Sequence, residues 1–243
     1  MLRKLLILAA ALTLGIPGIG FSQQITKFTV RIENMTKPDA FTASNGTKWS
    51  LAFSPGLWVI HTDKAPIFSA GKKDRGKGLE AQSEDGNPDT LAKSLAGGKG
   101  IKSVGVFDAP VGASAPGPIT PGAAYEFVVS AAPGDRLSVT MMMGQSNDWF
   151  YAPVESGIAL FKSGKPISGE ITAQIILWDA GTEVDQEPGI GLDQGPRQKG
   201  PNTGAAQNGA VQNAKNVKYG AAFSKVSAVM RVTIQPQQSL ASR

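Results

Sequence analysis

Two short segments hold the residue types best suited to chemistry. They are Ser146-Asn147-Asp148-Trp149-Phe150 and Trp178-Asp179-Ala180-Gly181-Thr182-Glu183. Each follows an apolar, strand-like run and sets an acid beside a tryptophan. That pattern puts carboxylates at strand ends, where a sandwich gathers its loops. Carboxylates clustered in a glycine-containing loop suit a hard cation such as Ca²⁺, which takes oxygen ligands in flexible geometry. Gly181 lets the backbone turn back, so Asp179 and Glu183, four positions apart, can aim at one point. Taken by itself, Asp148 reads as either a ligand or a turn residue. Asp185, Glu187 and Asp193 make the region more acidic still, as a solvated loop also would be.

Catalytic readings find less support. The chain has no cysteine and one histidine, His61, so thiol catalysis and a multi-histidine zinc site are excluded. Ser114, in Gly112-Ala113-Ser114-Ala115-Pro116-Gly117, lacks the tight strand-to-helix turn that a serine nucleophile needs. Asp148 with Asp179 could be cast as a carboxylate pair for glycoside hydrolysis, but the sequence shows no aromatic-rich groove for a glycan. The alternative from this class is a secreted hydrolase using Asp148, Asp179 and His61, which requires a cleft joining the three. Trp58, Trp149 and Trp178 read as core residues. In Met141-Met142-Met143 the middle side chain must face away from its neighbours.

The elements that position these residues are mostly strands. Residues 26–33 alternate polar and apolar, with Phe28, Val30 and Ile32 on one side. Further strands are expected at 57–60, 125–129, 137–143, 171–178 and 226–234. The turn Pro133-Gly134-Asp135 makes 125–129 and 137–143 look like an antiparallel hairpin. One short helix is expected after Asn87 as N-cap, with Pro88 in its first position, Leu91 and Leu95 on one face, and Gly97-Gly98 as its stop. Gly181 to about Asn216 is a long loop that begins at the acidic motif, and such loops are usually functional or mobile. These elements predict an all-β antiparallel sandwich with one short helix and long loops.

The ends and the composition bound the class. Arg3 and Lys4, the apolar run Leu5–Leu14 and Gly20-Phe21-Ser22 read as a signal peptide over 1–22, cleaved before Gln23. The domain is expected over 23–235, with a disordered tail over 236–243. A secreted or periplasmic chain without cysteine folds by its core alone. No stretch after residue 22 approaches membrane-spanning length. Removing Arg3 and Lys4 lowers the formal charge from +5 to +3. The basic residues are scattered apart from Lys72, Lys73, Arg75 and Lys77, which argues against nucleic acid as a partner.

At these residues the chain resembles the spondin N-terminal domain family. The resemblance rests on Phe53-Ser54-Pro55-Gly56-Leu57-Trp58 with His61 and Thr62, on Gly105-Val106-Phe107, and on Ser146–Phe150. Its most specific part is Trp178–Glu183, followed by Pro201-Asn202-Thr203-Gly204 and by the strand Val229–Ile234. It spans about residues 26–235. The resemblance implies a β-sandwich similar to C2 domains with one Ca²⁺ at one end. Asp148, Asp179 and Glu183 would be the ligands, Glu183 standing where the animal members usually have aspartate. In those proteins the module serves adhesion and matrix binding. The partner expected here is a surface or matrix ligand, protein or glycan, and a structural envelope component is a further alternative.

Overall fold

The computed structural model describes residues 25–237. Among these, eight strands of five or more residues carry the fold. They are β1 (Thr26–Asn34), β2 (Phe53–His61), β3 (Ile101–Phe107), β4 (Ala124–Ala131), β5 (Arg136–Met143), β6 (Trp149–Pro153), β7 (Ile175–Asp179) and β8 (Met230–Pro236). Two short helices, α1 (Leu79–Glu84) and α2 (Asp89–Leu95), lie between β2 and β3 in the chain.

The strands form an antiparallel β-sandwich. The smaller sheet runs Gly169–Glu170, β8, β1, β4, and the larger runs Gln212–Asn213, β7, β6, β5, β2, β3. The side-chain period of two builds the core. Phe28, Val30 and Ile32 on β1 and Met230, Val232 and Ile234 on β8 are buried between the sheets, while their neighbours face solvent. They meet Phe53, Ile60, Val139, Met141, Met143, Trp149, Tyr151 and Leu177 from the larger sheet.

The larger sheet is also covered on its outer face. Leu57 and Val59 of β2, Phe150 of β6 and Trp178 of β7 pack there with Leu79 of α1 and with Leu91 and Leu95 of α2. Burial on both faces leaves every residue of β5 after Arg136 and all of β6 buried, whereas β1 alternates. It also separates Trp149 from Trp178, the first facing the inter-sheet core and the second the outer layer. Met141 and Met143 face inward, and the Met142 sulfur lies toward Gly86, just past α1.

Four expectations need correction. β4 and β5 do not form a hairpin: β4 pairs with β1 in the smaller sheet, and β5 pairs with β2 and β6 in the larger. The turn at Pro133-Gly134-Asp135 instead carries the chain across the sandwich. The half-exposed pattern of β4 and the fully buried one of β5 record that difference of layer. Second, residues 226–228 form a 3₁₀ turn, and the last strand starts at Met230 and runs through Pro236. Third, 171–178 is divided by a 3₁₀ turn at Thr172–Gln174, so β7 begins at Ile175. Fourth, α1 is a helix the sequence reading missed, and α2 has Pro88 rather than Asn87 at its N-cap.

Gln237 still donates to the Lys27 carbonyl at 2.8 Å, beside the end of β8. The rest of the expected tail and the expected signal peptide lie outside the described residues. No helix among the described residues is long and apolar enough to cross a membrane.

Candidate metal centre

The strand ends bring the two acidic motifs together. β5 stops at Met143, and Ser146 shapes the turn that follows. Its hydroxyl donates to the Met143 carbonyl at 2.7 Å and accepts from the Trp149 N–H at 3.1 Å. Asp148 therefore stands immediately before β6. Asp179, the last residue of β7, is in register with Trp149. The Ala180 N–H reaches the Asp148 carbonyl at 3.2 Å. Gly181 then turns the chain back with φ of 70°, in a close approach to Gly209 and Ala210 that leaves no room for a Cβ.

That turn wraps one oxygen of Asp148. Its Oδ2 accepts from the Thr182 N–H at 2.7 Å, the Thr182 hydroxyl at 3.2 Å and the Glu183 N–H at 3.1 Å. The other oxygen, Oδ1, is buried and has no hydrogen-bond partner. Asp179 accepts from the Gly181 N–H at 2.8 Å through Oδ1 and from Gln212 Nε2 at 3.1 Å through Oδ2. Asp185 completes the group, with Oδ1 accepting from Trp149 Nε1 at 2.6 Å. One carboxylate oxygen from each of Asp148, Asp179 and Asp185 lies within 4.8 Å of the others. Asp148 and Asp179 are completely buried.

Electrostatics oppose three charges in so small a space. Burial, and then the neighbouring Asp179 charge, push the Asp148 carboxyl well above the ordinary carboxylate range. Burial raises Asp179 as well. The same two causes lift Asp185 to about 7. The ion pairs among the described residues join Arg31, Glu33, Glu126 and Arg231 on the smaller sheet, and none reaches these acids.

Glu183 is placed differently from the sequence expectation. Residues 183–185 are extended alongside 205–206, held by the Glu183–Ala206 bridge and by the Val184 N–H on the Ala205 carbonyl at 2.8 Å. Extended backbone turns Glu183 and Asp185 inward and leaves Val184 exposed. Glu183 meets Asn147, whose Nδ2 donates to Oε1 at 2.8 Å, while Asp185 meets the Trp149 indole two residues on. The third carboxylate of the close group is thus Asp185. The Glu183 Oε2 is buried without a partner. Burial, reduced by Asn147 and reinforced by the Glu84 charge, holds Glu183 at about 7. The two-residue period after the Gly181 turn was the available signal for Asp185.

His61 does not join the aspartates. It pairs with Arg136 at the start of β5, whereas Asp148 follows the far end of that strand. The length of β5 is about 24 Å at the usual antiparallel rise. Both ring nitrogens are engaged, Nδ1 with the Asp63 carbonyl at 2.8 Å and Nε2 with the Ser138 hydroxyl at 2.9 Å. The ring is completely buried, and that burial lowers its pKa. The cleft that the hydrolase alternative requires is not formed by these residues.

The donor set fits a hard divalent cation. All the donors are oxygens, one is a buried orphan, and no protein cation offsets them. Ca²⁺ takes about six to eight oxygens, so backbone and water oxygens would complete the shell. No family model matches this chain, and no curated protein matches it.

Proposed function

We propose that this chain is a secreted β-sandwich binding module whose loop end is tied together by Ca²⁺. It serves adhesion or ligand binding at the cell surface or in the matrix. One observation carries the metal reading: Asp148, whose Oδ1 is buried and without a partner, stands in one close group with two further carboxylates. A buried unpaired carboxylate is costly enough that proteins neutralise or coordinate it. Asp148, Asp179 and Asp185 would hold the ion, with Glu183 one step along the same extended segment. The ion would supply positive charge that offsets the acids and fixes the Gly181 turn against β6. The spondin-like motifs support the same reading, since Trp178–Glu183 and Ser146–Phe150 form the walls of this group.

Trp149 allows a local test. Its indole is bonded to Asp185, so excitation of Trp149 should sensitise the luminescence of Tb³⁺ bound in place of Ca²⁺. Added Ca²⁺ should quench the signal, and Asp179→Asn should abolish it. Sensitised emission that persists in Asp179→Asn would place the ion elsewhere and reject this site.

A further inference from the structure

A hollow of about 290 Å³ opens beside the loop that follows the acidic motif. It is close to the lower size of ordinary ligand pockets, about 300 Å³. Aromatic rings form much of its wall. Phe41 stacks on Trp49 with centroids 4.6 Å apart, and Phe223 leans on both at 5.7 and 5.8 Å. Tyr219 lines the hollow from a left-handed backbone conformation with φ of 69°. A bulky residue there is strained, and the strain persists only where the surroundings demand it.

Only one charged side chain lines the hollow, the carboxylate of Glu187. It is fixed in place by Ser44, whose N–H and hydroxyl donate to its two oxygens at 2.5 and 2.6 Å. Ring faces attract cations through their quadrupole, and a nearby carboxylate adds to that attraction. The rim already shows this preference, because the Lys218 ammonium sits 4.7 Å above the centre of the Tyr219 ring.

We infer that this hollow is a binding site for an organic ammonium group, held by the rings of Phe41, Trp49, Tyr219 and Phe223 and by the charge of Glu187. The charge balance selects this occupant. Glu187 is the one acid in the wall, with only the Lys218 ammonium of the rim near it, which favours a cation over an uncharged apolar group. A sugar would need several hydrogen-bonding partners, and the remaining wall is largely Ala43, Pro188 and Ala222. The inference does not depend on a metal at the neighbouring acids. The two places adjoin nonetheless, since Phe223 also lies 6.1 Å from the Trp149 ring.

The test compares choline with 3,3-dimethyl-1-butanol, a neutral molecule of nearly the same shape. Binding is followed by tryptophan fluorescence and by ligand-observed NMR on the full chain. Choline should bind saturably, at least tenfold tighter than the neutral alcohol. Glu187→Gln should weaken choline about tenfold and leave the alcohol unchanged. Tyr219→Gly should weaken choline severalfold while keeping the fold, because glycine accepts the left-handed backbone. Lys218→Ala should strengthen choline by removing the internal competitor. A parallel titration with the amide of N-acetyl-trimethyllysine separates the sources. Tighter binding than choline identifies an ammonium carried on a protein, and weaker binding a free small molecule. Equal affinity for choline and the alcohol would reduce the hollow to an apolar pocket and overturn the proposal. So would the absence of saturation by choline, or an affinity unchanged in both Glu187→Gln and Tyr219→Gly.

Discussion

Replacing Asp148 by asparagine should stabilise the metal-free protein and destabilise the Ca²⁺-loaded one. In the metal-free protein, one oxygen of Asp148 lies within 4.8 Å of oxygens of Asp179 and Asp185. Two unit charges at 4.8 Å would repel by about 3.5 kcal/mol at an effective dielectric near 20, which is a ceiling, because the raised Asp148 carboxyl takes up a proton to relieve it. Asparagine removes that repulsion, and its amide can donate to the carboxylates it faces. Its carbonyl can still accept from the Thr182 and Glu183 N–H groups that wrap Oδ2. For a domain of this size each kcal/mol moves the melting temperature by about 2–4 °C, so Asp148→Asn should melt above wild type in chelator, by at most roughly 7–14 °C. In saturating Ca²⁺ the order should reverse. A ligand specific for the folded state adds about 4.1 kcal/mol at a thousandfold excess over Kd, more than the repulsion it offsets, and the variant forgoes it. Differential scanning calorimetry of both proteins, with chelator and with Ca²⁺, reads the crossing directly. If Asp148→Asn is less stable than wild type in both conditions, Asp148 is an ordinary hydrogen-bonded core carboxylate and the reasoning fails.

Other outcomes follow from the same geometry. Glu84, Glu183 and Asp185 are each held near 7 chiefly by burial. Raised folded-state values mean the native state binds more protons than the unfolded one, so metal-free stability should fall as pH rises from about 4.5 through about 7. A denaturation midpoint in chelator that rises over that window would contradict this, and Ca²⁺ should flatten the fall. His61→Ala should lower stability, by leaving the buried Ser138 hydroxyl without its ring partner, about 1–3 kcal/mol. It should leave Ca²⁺ affinity unchanged; a tenfold loss of affinity would couple the two ends of β5. Mass spectrometry of the exported protein should find a chain beginning near Gln23, and an intact Met1 terminus would reject the signal peptide.

The strands with a strong period or strong burial were legible in the sequence. Phe28, Val30 and Ile32 could only be one face of β1, and the apolar run 137–143 could only be a buried strand. Layer membership was less legible. Pro133-Gly134-Asp135 has the composition of a hairpin turn, yet it joins strands of different sheets, and the difference shows only in their burial, partial in β4 and continuous in β5. The helix α1 carries no capping side chain and follows Gly78 in a left-handed conformation, so it offered no start signal. At the acidic loop, Asp148 and Asp179 were visible because each ends an apolar run beside a tryptophan. The place of Asp185 in the close group was less visible, because it depends on pairing between 183–184 and 205–206, a contact between two stretches of one long loop. The aromatic hollow was hidden for a similar reason, since Phe223 is far along the chain from the paired Phe41 and Trp49.

The central claim is that Asp148 and Asp179 bind Ca²⁺ with a third carboxylate. Isothermal titration of Ca²⁺ into metal-free protein tests it most directly, with Asp179→Asn and Asp193→Ala run in parallel. One ion should bind per chain in wild type and in Asp193→Ala, and Asp179→Asn should lose that binding while remaining folded. If wild type takes up no Ca²⁺, or if Asp179→Asn binds it as wild type does, the metal centre described here does not exist.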